Sequence, residues 1–205
     1  MDRLLLHSGI AAALLFFIVP TILVFTRRGF DLERHAISML SLGEGGWMMK
    51  AVFVVSGLLV IASAWGLHQE LMRGLGGIVA PLLIGGYGVG LVLAGIYDAP
   101  EGLGFPPGVP EEQPPEMTAE AKLHSLAFMI AFGSLILSCF VVALHFWQVE
   151  RLFWAAASLI AGCALPLLIG LGVSMTIAPG IAFYWAAMLG WLWIAAILAV
   201  LGPAA

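Results

Sequence analysis

The chain has 205 residues, of which 62% are hydrophobic and only 10% are charged, and its formal net charge is −4. Soluble domains usually have about a quarter of their residues charged, so this composition excludes a water-soluble fold and predicts a surface that mostly faces lipid. The negative balance and the lack of a basic cluster also exclude nucleic acid as a partner, and we expect membrane lipids instead.

Six apolar segments are each long enough to cross a bilayer, whose core of about 30 Å takes about 20 helical residues. They occupy residues 4–25, 47–67, 76–96, 123–147, 152–174 and 181–201. Long apolar runs without two-residue alternation indicate helices, because backbone groups in lipid must be satisfied within each segment. The sequence therefore predicts an all-α polytopic membrane protein, a bundle of six transmembrane helices forming one domain over residues 1–205.

The first long loop, residues 26–46, contains the stretch "DLERHAISML". Its polar residues recur at the spacing of one helix face; they are Asp31, Arg34, His35 and Ser38. Asp31 suits a helix N-cap and Gly43 suits a helix end, so a short amphipathic helix is predicted here. Two interpretations stay open: the polar face forms a site, or it is only the polar, solvent-exposed side of a helix lying at the membrane surface.

The second long loop, residues 97–122, holds six of the eleven prolines and six of the twelve acidic residues of the chain. Prolines stiffen a loop, and loops of this length are usually functional or disordered. Phe105 and the glycines favour a folded segment. Thr118 is predicted to cap the fourth helix, which puts Glu120 in its first turn and His124 one turn later.

Alternation of six spans places both long loops on one membrane face, where we expect them to form a cap. The positive-inside rule leaves the orientation of that face open. Four residues, His35, Asp98, Glu120 and His124, would then converge. Two histidines and a carboxylate suit a metal such as Zn²⁺, with His35, Asp98 and His124 as ligands, or acid–base chemistry. The alternative is a polar network that holds the cap to the bundle. No cofactor can be named from these residues.

Three stretches carry a resemblance: "RRGFDLERHAISMLSLGEGGWMMKAVFVVSGLLV", "GIYDAPEGLGFPPGVP" and "KLHSLAF". They resemble the bacterial membrane family catalogued as domain of unknown function 998, with its "(Y/F)D-x-x-R-H-x-(I/V)-S-x-L-x-L-G" motif, its "G(Y/F)PPGTP" loop and a histidine opening the fourth span. The matching residues are Asp31, Arg34, His35, Ser38, Asp98, Pro106, Pro107 and His124. Val109 departs from the motif, which has a hydroxyl residue there. The resemblance implies six helices in a bacterial inner membrane and two loops that act together, but no particular activity.

Three classes of function fit these residues. The first is a loop-capped polar pocket that binds a lipid headgroup or small polar ligand, with Arg34 contacting an anion and His35 and Asp98 orienting it. The second is a membrane-embedded hydrolase, in which His35 or His124 acts as a base or both hold a metal. The third is an accessory subunit of a larger membrane complex, or a homo-oligomer. We take the first as the working interpretation, and whether the protein is an enzyme stays undetermined.

Overall fold

A computed structural model describes residues 2–70 and 76–201, so residue 1, the second loop at residues 71–75 and residues 202–205 lie outside the description. Its α-helices are α1 (Asp2–Thr26), α2 (Trp47–Glu70), α3 (Gly76–Ile96), α4 (Ala119–Gln148), α5 (Leu152–Val173) and α6 (Pro179–Leu201). All six are long and apolar enough to cross a membrane. The predicted all-α bundle of six transmembrane helices is therefore confirmed, and the chain is an integral membrane protein.

The helices form a closed ring. Each helix packs against its neighbours in sequence, and α1 completes the ring against α6. Large aromatic side chains fill the interior: the Trp191 ring lies 5.0 Å from the Phe16 ring and 5.3 Å from the Tyr87 ring, measured between centroids. Because the helices alternate in direction, loop one (residues 27–46) and loop three (residues 97–118) lie at the same end of the ring, here called the loop end.

The first turn of α4 is fixed by an N-cap. The hydroxyl oxygen of Thr118 accepts a hydrogen bond from the Ala121 backbone N–H at 3.2 Å, and Glu120 stands in the first turn, as predicted. The cap starts the helix four residues before the predicted span. At 1.5 Å per residue the 30 residues of α4 are about 45 Å long, more than the bilayer core requires.

Replacing Thr118 with alanine is expected to lower the free energy of unfolding by about 1 kcal/mol, because the Ala121 N–H loses its partner. Amide hydrogen exchange in the first turn of α4 should rise, while exchange in the middle of the helix should stay unchanged. Thr118→Ser keeps the hydroxyl and is the matched control. Equal exchange in both variants would show that the side chain does not act as a cap.

The helix of loop one differs from the predicted one. The segment forms a single turn after Asp31, becomes extended at Ala36, and then makes a 3-10 helix over Ile37–Ser41. Loop one therefore does contain a short helix, but it is a 3-10 helix that begins at Ile37, so the predicted N-cap at Asp31 is wrong. The carboxylate of Asp31 accepts a hydrogen bond from the Glu33 N–H, which closes a local turn.

The 3-10 geometry follows from two groups of apolar neighbours. A 3-10 helix aligns residues three apart in sequence. Ile37 and Leu40 belong to the main core of the bundle, whereas Met39 and Leu42 belong to a second, smaller core within the loops. A segment buried on two sides does not keep one polar face in water, so the amphipathic pattern does not determine its structure.

Candidate functional site

The two long loops share a small apolar core at the loop end. It consists of Met39 and Leu42 from loop one and Ala99 and Phe105 from loop three. Phe105 is fully buried, and its ring meets that of Phe30 edge to face at a centroid distance of 5.4 Å. The loops therefore pack against each other through side chains and do not extend separately into solvent.

His35 connects the loops through both ring nitrogens, an arrangement called here the His35 bridge. Nδ1 accepts a hydrogen bond from the Asp31 backbone N–H, and Nε2 lies 2.9 Å from the Leu103 carbonyl oxygen. Because a carbonyl only accepts and a backbone N–H only donates, this geometry has Nε2 as the donor and Nδ1 as the acceptor. The side chain is 2% exposed and packs against Phe30 and Phe105. Both nitrogens are thus committed to structural hydrogen bonds.

Two further predicted site residues make ion pairs at the loop end. Arg34 donates to the Glu111 carbonyl oxygen at 2.9 Å, and its guanidinium lies 3.6 Å from the Glu111 carboxylate. Asp98 pairs with Lys50 at the start of α2, with 2.6 Å between Nζ and Oδ1. Arg34 therefore joins loop one to loop three, and Asp98 joins loop three to the bundle.

A cavity of about 240 Å³ lies inside the ring at the loop end. Its wall comes from α1, α2, α3, α4 and α6, and residues 36–38 of loop one together with Pro100 of loop three lie at its upper end. The aromatic residues of the wall are Phe16, Phe53, Tyr87, Phe128, Phe132 and Phe183. The lining residues include no Asp, Glu, Lys or Arg, so this cavity is mainly apolar, unlike the polar pocket that the sequence predicts.

The polar groups of the cavity lie mostly toward its loop end. His124 is 5% exposed, and its Nδ1 donates to the Tyr97 carbonyl oxygen at 3.0 Å. In the neutral ring this assignment leaves Nε2 as a hydrogen-bond acceptor. Ser125 donates its hydroxyl to the Ala121 carbonyl, and Ser38 of loop one also lines the cavity. Of the predicted site residues, His124 and Ser38 are thus the two that meet at the cavity.

The remaining predicted residues are not gathered into one centre. Asp31 and Glu120 are exposed. His35, Asp98 and His124 were the candidate metal ligands, but residues 2–70 and 76–201 contain no group of three or more His, Cys, Asp or Glu side chains that could hold a metal ion. His35 is occupied at both nitrogens and Asp98 is paired with Lys50. The geometry therefore gives a metal centre no support.

Arg27 has a role that sequence reasoning missed. Its guanidinium donates to the carbonyl oxygens of Leu42 and Glu44 and lies 5.8 Å from the centre of the Phe105 ring. It therefore holds the end of loop one against loop three. In the sequence, "RR" after an apolar span indicates only a membrane boundary, and no local pattern points to carbonyl groups fifteen residues later.

The aromatic wall of the cavity was also missed. Its six aromatic residues come from five different helices. Taken one at a time, an aromatic residue in an apolar helix is expected to face lipid or to pack in the core. A spacing pattern that would group them is not present in the chain, because their convergence depends on how the helices are arranged around the ring.

Comparison with known proteins gave one result at the level of family. A search of curated proteins and a search of solved structures found no match to the chain. A family model described as "Protein of unknown function (DUF998)" matches residues 10–200, which is nearly the whole chain and includes at least part of each of the six helices. This extent, together with the six membrane-spanning helices, shows that the chain belongs to the DUF998 family.

Proposed function

We propose that this integral membrane protein binds a small amphiphilic molecule in the cavity beneath loop one and loop three. The observation that carries the proposal is the composition of the cavity, which combines an aromatic wall with a few hydrogen-bonding groups. Ligand pockets are commonly lined in this way, with apolar surface for the body of the ligand and sparse polar groups that orient it.

The arrangement of the wall along the helix axes supports an amphiphile in particular. His124 and Ser38 lie near the loop end, whereas Tyr87 lies nine residues before the end of α3, about 14 Å deeper at 1.5 Å per residue. Phe16 lies at a similar depth in α1, ten residues before its end. An apolar chain inside the ring with its polar end under the loops would match this order.

The loops give the cavity a stable upper end. Ala36, Ile37 and Ser38 line it directly, and they follow His35, whose ring is fixed to loop three. A pre-formed site binds more tightly than a mobile one, since less freedom is lost when the ligand enters. We do not propose the hydrolase, because both nitrogens of one candidate base, His35, are already hydrogen-bonded, and no carboxylate lines the cavity beside the other, His124.

Filling the cavity should prevent binding. The full chain, reconstituted in phosphatidylcholine nanodiscs, is exposed to three photoreactive dodecyl amphiphiles, one uncharged, one anionic and one cationic. Labelled residues are mapped by mass spectrometry. Ala187 lines the cavity and is 4% exposed, so Ala187→Phe is expected to reduce labelling of the cavity wall by about tenfold or more. A second filling variant is Ala94→Leu, at the loop end of the wall.

The matched control is Ala156→Phe, which adds the same side chain to an exposed position on α5. It should label like the unmodified chain. Labelling of cavity residues by at least one amphiphile, lost in both filling variants and kept in the control, supports the proposal. Labelling confined to exposed residues, or equal labelling in all variants with unchanged circular dichroism, would overturn it.

A further inference from the structure

We infer that the molecule bound in this cavity is an uncharged lipid alcohol whose hydroxyl group donates a hydrogen bond to Nε2 of His124. The inference rests on the proposed function and names its ligand class. Fatty alcohols, isoprenoid alcohols, monoacylglycerols and diacylglycerols share this chemistry, which combines an apolar chain with a hydroxyl group and no ionised group.

The cavity wall offers no partner for a charged headgroup. None of the residues that line it carries a formal charge, counting His124 as neutral. An ion buried among apolar groups is strongly disfavoured unless an opposite charge or several hydrogen bonds compensate it. A phosphate or a quaternary ammonium group inside this wall would have neither, whereas a hydroxyl group needs only one or two hydrogen bonds.

Three cations at the loop end are already engaged. Arg27 binds backbone carbonyls of loop one, Arg34 binds Glu111, and Lys50 binds Asp98. The two loops also carry eight of the twelve acidic residues of the chain. An anionic headgroup approaching from this end would therefore meet net repulsion from the loops, and the two further cations of this end, Arg28 and Lys122, are exposed and do not line the cavity.

His124 requires a hydrogen-bond donor from the ligand. The Tyr97 carbonyl holds the proton of the ring on Nδ1, so Nε2 of the neutral ring accepts. Only a ligand with a donor satisfies such an atom, and an ether or ester oxygen in its place would face another acceptor. Ser125 already donates its hydroxyl to the Ala121 carbonyl, so its oxygen is likewise placed to accept.

Competition among matched ligands tests the inference. The full chain in phosphatidylcholine nanodiscs is labelled with a photoreactive dodecanol, and four unlabelled compounds compete: dodecanol, dodecyl methyl ether, dodecyl phosphate and dodecyltrimethylammonium. Dodecanol should compete at the lowest concentration. The ether, which lacks the donor, should be about tenfold weaker, and both ions should be weaker than the ether.

Variants of His124 test whether the preference for dodecanol over its methyl ether depends on this side chain. His124→Phe removes the acceptor while keeping an aromatic ring, so the difference between dodecanol and its ether should disappear. His124→Gln restores an acceptor in the side chain, and part of the difference should return. Equal competition by alcohol and ether in the unmodified chain, or an unchanged difference in His124→Phe, would overturn the assignment to His124.

The outcomes separate this inference from the proposed function. If dodecyl phosphate or dodecyltrimethylammonium competes best and labels the same cavity residues, an amphiphile site exists and the uncharged ligand class is wrong. If no dodecyl compound labels or protects the cavity wall, the proposed function and this inference fail together. A dodecanol probe with its photoreactive group next to the hydroxyl should not label residues around Tyr87. If it does, the assignment to His124 is contradicted, because the hydroxyl group would then lie at the deep end of the cavity.

Discussion

Replacing His35 with phenylalanine is expected to lower the free energy of unfolding by about 2 kcal/mol and to open loop three to proteolysis. The new ring keeps the packing against Phe30 and Phe105. It removes both hydrogen bonds of the His35 bridge and leaves the Asp31 N–H and the Leu103 carbonyl without their partner. The measurements are thermal unfolding in detergent and the rate of cleavage by a glutamate-specific protease.

The expected cleavage sites lie in loop three, after Glu111, Glu112 and Glu116. His7→Phe is the matched control, since His7 is exposed on α1 at the opposite end of the ring, and it should change neither measurement. His35→Asn places an oxygen near the Nδ1 position, but it loses the hydrogen bond to Leu103 and the ring contacts with Phe30 and Phe105, so it should not restore the stability or the protection of loop three. A cleavage rate in His35→Phe equal to that of the control would show that the bridge does not hold the loops.

Replacing Gly57 with alanine is expected to destabilise the bundle by about 2 kcal/mol or more, because it forces α2 and α3 apart. A Cβ at this position would lie 2.6 Å from the Gly88 carbonyl oxygen and 2.9 Å from the Val92 backbone nitrogen. These are backbone atoms, which cannot rotate away. The stability of the reconstituted or detergent-solubilised protein is measured by thermal unfolding followed by circular dichroism.

Gly88→Ala should have the same effect from the other helix, because its Cβ would lie 2.7 Å from the Gly57 carbonyl oxygen. The two losses should not add in the double variant, since both act by separating the same pair of helices. Gly133→Ala is the control, and it should stabilise the protein: apart from the nearby backbone of its own helix, nothing lies within 4 Å of the added Cβ. Alanine in a helix is about 0.5–1 kcal/mol more stable than glycine. Destabilisation of equal size in Gly133→Ala would mean that helix contact at Gly57 is not the cause.

Some parts of the candidate site follow from sequence reasoning. The parity of six spans predicts that both long loops lie at one end, and the cap of α4 at Thr118 could be assigned from local chemistry because its partner is three residues away. The sequence predicts His124, a polar residue in the early turns of an apolar helix, as a site residue, and His124 lines the cavity. These predictions depend on neighbours in the chain or on the number of spans.

Other parts depend on partners that are distant in sequence. The ring of His35 binds a carbonyl group 68 residues later, and Arg34 binds one 77 residues later. A carbonyl group is present at every residue, so nothing in the sequence of loop three distinguishes Leu103 or Glu111 as the acceptor. The same limit explains why a polar face was predicted for a segment that is in fact buried on two sides.

The sequence by itself determined the membrane class, the number of helices and the end at which the loops lie, because hydropathy summed over about twenty residues depends on no distant contact. The tertiary structure decided which apolar side chains face the interior and that some of them surround a cavity. Phe16, Tyr87 and Phe183 are as compatible with lipid as with a protein interior. Hydropathy cannot separate these two surroundings, and only the packing of the helices around the ring does so.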